Sequence, residues 1–222
     1  MPLNTDFATV SCTLQDYIAA EYSDIFNQQK VNFDERSELA QVVGSAIGRR
    51  QDQLILDAIA AASAGTTVAN TVVTSGSAAA SDLNVGKIIA AAKALNAANV
   101  PSTDRHMVIH ANGLAALLGD ERAVSSDFNS LQALQRGDIN TFMGFTMHVL
   151  GDRDEGGLAI DGSSDRTNFA FHKSAIGCAV GMAPTTKIDY IAEKTSFLVA
   201  ACLSMGAVAI DAAGIVDITT RE

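Results

Sequence analysis

The sequence predicts an α+β fold, with long helices early in the chain and strands late. Three observations carry this. Apolar residues recur at helical spacing from about residue 33 to 63. A second, shorter stretch of the same period spans 83–98. From residue 169 onward the chain breaks into extended, strand-like runs separated by polar or glycine-containing turns.

The long helix, Phe33 to Ser63, carries Leu39, Val43, Ile47, Leu54 and Ala58 on one stripe. Asn32 with Glu35 three residues on suggests a capping box. Gly44 and Gly48, one turn apart, each cost up to ~1 kcal/mol relative to Ala and suggest close approach of another backbone. Arg49, Arg50 and Asp52 interrupt the stripe in mid-helix, where a charge is either solvated or paired. Before this helix, residues 7–18 alternate with the period of a strand that nothing upstream can pair with, so a mobile edge or a strand seeking a partner copy is expected.

Residues 65–81, rich in Ala, Ser, Thr and Gly, suggest a loop or weak hairpin. The helix at 83–98 ends before Pro101. Then come a short buried strand (105–110), two short helices (111–120 and 126–135) and a strand at 144–150. An exposed Gly/Asp loop spans 151–166. Strands are expected at 169–181, 186–192, 195–210 and 214–219.

Composition bounds the function classes. The 222 residues are 48% apolar and 18% charged, which suits a folded chain of one large or two small domains. No uninterrupted apolar run approaches the ~18 residues of a membrane span, and residues 1–9 lack the pattern of a signal peptide. Fifteen basic against 25 acidic residues give a net charge of −10, which disfavours a dedicated nucleic-acid binder. Cys12, Cys178 and Cys202 are expected as free, buried thiols in a reducing compartment.

The motifs of common chemistries fail. Gly86–Lys87 is followed by Ile88, and Ser81 stands where a phosphate loop needs its first glycine. Asp152 and Asp154 begin like a calcium loop, but Gly156 and Ser163 break the ligand set. His106 and His110 could share a strand face, yet a metal site needs a third ligand, such as His148 or an Asp. His172 has no neighbouring nucleophile, and Cys178 sits among apolar residues. No catalytic residue, no cofactor and no metal site is expected.

Several segments resemble the major capsid proteins of tailed bacteriophages with the Hong Kong 97-type coat fold. ELAQVVGSAIGRRQDQLILDAI (38–59) is similar to that family's long helix. Residues 83–120 resemble its helix, Val-Pro…Asp-Arg turn, strand and Leu-Leu helix. Gly137, Gly144 and Phe145 match a glycine-spaced Gly–Phe signature, 169–181 an aromatic-His-Lys pattern, and 203–218 a glycine-containing ending.

The resemblance implies a long spine helix with two mixed lobes, peripheral and axial. The expected division is 1–32 as a remnant of an extended loop, 33–82 as spine helix and peripheral domain, 83–185 mostly as axial domain, and 186–222 as C-terminal strands shared with the peripheral domain. The N-terminal arm and the first half of the extended loop look absent, so inefficient shell closure by this chain alone is expected. The implied function is structural. Copies of the chain would associate into hexamers and pentamers of an icosahedral head, made in the bacterial host cytoplasm and enclosing double-stranded DNA without sequence-specific binding or a membrane. Arg49, Arg50 and Asp52 are then candidates for inter-subunit contacts. The competing expectations are an encapsulin-like nanocompartment shell, and a small α/β enzyme or ligand-binding domain.

Overall fold

A computed structural model describes residues 9–62, 65–74, 76–119 and 141–222. The helix expected at 126–135, and Gly137, lie outside the described residues. The chain divides into two compact units, one formed by 1–55 with 177–208, the other by 56–176 with 209–222. The division falls inside the long helix, at residues 55–56, and again at 176–177 and 208–209.

In the first unit, β1 (Gln15–Asp24), β8 (Ser196–Ala209) and β7 (Ile176–Ile191) form a three-stranded sheet in the order β1-β8-β7. The strand expected at 7–18 therefore begins later and has a partner within its own chain. It runs antiparallel to β8 from Gln15↔Met205 to Asp24↔Ser196. The ladder stops where Gly206 follows Met205. A Cβ there would stand 2.9 Å from Cys12 Sγ and collide with the Thr13 carbonyl oxygen, so the bare glycine lets the incoming chain cross β8.

A short helix, α1 (Ile25–Gln28), is capped by Asp24, whose side chain accepts from Phe26 N. Then α2 (Glu35–Ala61) runs for about 40 Å. Its start is not the Asn32–Glu35 capping box. Gln28 Oε1 accepts from Glu35 N at 3.1 Å and Asp34 Oδ1 from Arg36 N at 3.3 Å, while Ser23 Oγ donates to Glu35 Oε2 at 2.9 Å. Both Glu35 and Glu38 lie in the first turn, where the helix dipole favours negative charge.

The stripe works as its spacing implies. Val43 and Ile47 pack with Ala201, Leu203 and Met205 of β8, flanked by Tyr17, Ala19, Leu54 and Ile55. Each buried aliphatic side chain contributes about 1.5–3 kcal/mol. Gly44 and Gly48 lie off this stripe. Nothing stands within 4 Å of a Cβ built on either, so the expected close backbone approach is absent among the described residues.

The second unit is a six-stranded mixed sheet in the order β2-β9-β6-β3-β5-β4. Its strands are β2 (Thr66–Val68), β3 (Arg105–His110), β4 (Thr141–Phe142), β5 (Phe145–Leu150), β6 (Asp165–His172) and β9 (Ile215–Arg221). Two pairs are parallel, β3 with β5 and β2 with β9. The Ala/Ser/Thr-rich segment thus supplies a three-residue strand and otherwise loop.

Helices α3 (Val85–Ala97) and α4 (Ala111–Gly119) complete this unit. Asn84 caps α3 by accepting from Lys87 N at 3.0 Å. The core gathers Leu83, Ile88, Ala91 and Leu95 from α3 and its approach, Leu117 from α4, and Met107, Ile109, Phe145, Met147, Ala170, Val216 and Ile218 from the sheet. Arg105 is buried and makes three hydrogen bonds through Nε and Nη2. It donates to the carbonyls of Val100 and Pro101 and to Asn96 Oδ1, tying the end of α3 to the start of β3.

Candidate self-association surface

β7 has the sequence IGCAVGMAPTTKIDYI, sixteen residues without the strong apolar alternation of a buried strand. It lies at the edge of its sheet and is joined to β8 by a 3-10 turn at Ala192–Lys194, after which Thr195 takes a left-handed conformation. Every residue from 181 to 190 is exposed. The sequence gives two strands here, at 169–181 and 186–192. The structure instead bends the chain at Lys173–Ala175 and then continues unbroken through Pro184. An edge strand can carry a proline because one side of it has no ladder to donate to.

Alternation sorts the faces of β7. A Cβ on Gly181 would meet Ser204 and Leu14, and Ser204 alternates with Leu203 and Met205, which pack on α2. Val180, Met182, Ile188 and Tyr190 therefore lie on the helix-bearing side, yet all four are exposed, Val180 at 55%. On β1 the residues between those facing α2 are exposed as well, Ile18 at 72% and Tyr22 at 44%. Phe26, Phe33 and Val42 are also exposed in this unit. Exposed apolar side chains therefore stand on both faces of this sheet, as at a surface that meets another protein.

Cys178 belongs to this strand and is exposed, contrary to the burial its apolar neighbours imply. β7 is the edge strand of its sheet, which leaves this side chain open to solvent. Burial and nearby Cys12 still push its thiol pKa above the ordinary value. Cys12 and Cys202 are half-buried, and none of the three is in a disulfide.

Cations tie the helix and the turn to this sheet. Arg36 lies over the Phe197 ring at 4.7 Å, and Phe197 in turn meets Tyr190 at 5.2 Å between centroids. Lys194 lies 4.0 Å over Tyr22. Arg50 lies 4.7 Å over Tyr17. Of the three predicted contact residues, Arg50 is thus half-buried and engaged within its own unit, while Arg49 and Asp52 are exposed on α2.

The other residues singled out by sequence go elsewhere. His106 meets His148, not His110. His110 sits between Asp152 and Glu222, with ring nitrogens 3.3 and 3.2 Å from their carboxylate oxygens. Arg166 joins the same group, 2.7 Å from Glu222 and 3.3 Å from Asp152, so the calcium-like loop places Asp152 against Arg166 and His110 of its own chain. His172 contacts Ser174 Oγ at 2.7 Å. Lys87, beside the failed phosphate-loop glycine, is fully buried and donates to the carbonyls of Ser81 and Asp82. Sequence spacing carries no sign of that burial. Among the described residues no group of three or more His, Cys, Asp or Glu is placed to hold a metal, and no helix is long and apolar enough to cross a membrane.

A long helix laid on a three-stranded sheet, joined to a mixed-sheet unit, defines the class: this is the fold of viral shell subunits. The chain belongs to the phage capsid protein family, whose model matches residues 1–222. Among solved structures it is similar to one described as Mycobacterium phage Che8, with a TM-score of 0.70 and 22% identity over 97% of this chain and 76% of that one. The capsid of cyanophage P-SCSP1u gives a TM-score of 0.72 at 15% identity, over 99% of this chain and 78% of that one. A virus-like particle from Pyrococcus furiosus gives 0.58 at 14% identity, over 92% and 75%. No curated protein matches the chain.

Proposed function

We propose that this chain is the major capsid subunit of an icosahedral phage head, a structural protein without enzymatic activity. In this reading it associates with its own copies into hexamers and pentamers, is made in the host cytoplasm, and encloses double-stranded DNA. The unit built on α2 serves as the peripheral domain and the six-stranded unit as the axial domain. The observation that carries the reading is β7, whose residues 181–190 are exposed on both faces at a free sheet edge. A strand with no cover on either face is finished by another chain. The net charge of −10 supports a shell that confines DNA without gripping it.

Arg49, Arg50 and Asp52 are proposed as inter-subunit contacts, Arg49 and Asp52 from exposed positions on α2 and Arg50 from a half-buried one. Electron microscopy and sedimentation of the protein expressed with and without its phage genome test the reading. Ring-shaped capsomers or closed shells are expected, and DNA-filled heads when the genome is present. A protein that stays monomeric with its fold intact sinks self-association. Shells that take up a protein cargo and exclude DNA favour the nanocompartment instead.

A further inference from the structure

We propose that His106 and His148 form an exchangeable site for a borderline divalent cation of the zinc or copper(II) class, with both imidazoles as ligands and water in the remaining positions. The proposal stands apart from the shell reading and rests on the sheet of the second unit.

Parallel pairing of β3 with β5 sets His106 opposite Thr146 and Val108 opposite His148. Met107 and Met147, one residue from each histidine, enter the core, so alternation sends both imidazoles to the other face of the sheet. There His106 Nδ1 stands 3.1 Å from His148 Nε2. The two rings are tilted by 30° with centroids 5.3 Å apart. On its far side His106 meets Phe171, its antiparallel partner on β6, at 5.8 Å. His106 is thus wedged in place, and exposed His148 is the ring free to adjust.

Two ring nitrogens at this distance share one proton between them or converge on one ion. With metal–nitrogen distances of about 2.05 Å, a separation of 3.1 Å subtends roughly 100° at the metal, close to a tetrahedral angle. The neutral imidazole is the ligating form. Two neutral nitrogen donors without a carboxylate suit zinc or copper(II) and not magnesium or calcium. With only two protein ligands and water in the remaining positions, binding is weak and reversible.

Titration calorimetry of the full chain with zinc chloride alone, in a non-chelating buffer, tests this. One ion per chain at micromolar affinity is expected, with no response to magnesium. His148→Ala, at an exposed position, is expected to leave the metal-free melting temperature in place and weaken binding by about tenfold or more. In NMR spectra zinc is expected to move the imidazole signals of His106 and His148 and leave those of His110 and His172. Absence of zinc binding in the wild type, binding that His148→Ala leaves unchanged, or shifts confined to other histidines would show a hydrogen-bonded pair only and overturn the proposal.

Discussion

Arg50 lays its guanidinium over the ring of Tyr17, 4.7 Å from the centroid, and its Nη2 donates to the same residue's hydroxyl at 3.5 Å. The mid-helix charge that interrupts the apolar stripe therefore pins α2 to β1. A half-buried cation–π contact of this kind is worth about 1 kcal/mol. Arg50→Ala is expected to lower the melting temperature by about 2–4 °C for a chain of this size. Arg50→Lys recovers part of the loss. Thermal unfolding by circular dichroism checks this, and an unchanged melting temperature would return Arg50 to the inter-subunit role.

The exposed apolar face of β7 gives the opposite pattern. Val180→Asp with Met182→Asp is expected to change the melting temperature by less than about 2 °C, because neither side chain is buried in the single chain. The same double variant is expected to abolish capsomers in sedimentation. Normal assembly by this variant would remove β7 from the interface.

Lys87 carries a pH signature. Burial is the main effect and lowers its pKa from 10.5 to about 8, against the opposing charges of Asp82 and Asp165. Below about pH 8 the amine is protonated both folded and unfolded, and the folded state bears the full desolvation cost. As pH rises from about 8 toward 10.5, the folded chain releases its proton first, so this group's contribution to stability increases. Urea unfolding of wild type and Lys87→Met across that window is expected to show the rise in the wild type only. Equal pH slopes for the two proteins would contradict it.

Glu222 has the reverse sign. Burial alone raises its pKa, but the hydrogen bond and charge of Arg166, with Asn112 and His110, outweigh it and hold the carboxyl below the ordinary value. Its contribution is present above the unfolded carboxyl pKa and is lost as pH falls through the folded one. Glu222→Gln leaves buried Arg166 with Asp152 and the Leu158 carbonyl, and is expected to cost about 2 kcal/mol near neutrality. The variant is expected to equal the wild type under strongly acidic conditions. A constant difference at all pH values would show that the pair is not what titrates.

Local pattern carried much of this fold. Val43 and Ile47 are buried as the helical period requires, and β3 falls where RHMVIH places it. Features set by distant partners were not legible. Asp34 and Gln28 replace Asn32 at the start of α2 because α1 returns Gln28 to that point. Cys178 reads as buried from its neighbours, yet its exposure depends on what lies over β7. Lys87 is buried through two loop carbonyls that no spacing rule predicts. The pairing of His106 with His148 needed the parallel register of β3 and β5, which requires knowing the strand order. The apolar surface of β7 was hidden for the same reason, since exposure on an edge is a property of the sheet.

Ile18 pairs with Cys202 across β1 and β8, and the sheet that covers α2 is made from residues at opposite ends of the sequence. During synthesis the apolar face of α2 emerges long before β8 exists. At about 5–20 residues per second, the roughly 150 residues between them take on the order of 10–30 s to be made. For that interval Val43 and Ile47 lack the β8 side chains that bury them, and the nascent chain is a candidate for chaperone binding or premature association with other nascent copies. Ribosome-bound chains arrested before residue 196 are expected to be protease-sensitive within α2, and chains arrested with β8 fully emerged to be protected. The order in which the sequence leaves the ribosome thus delays the subunit's own closure until most of it has been translated.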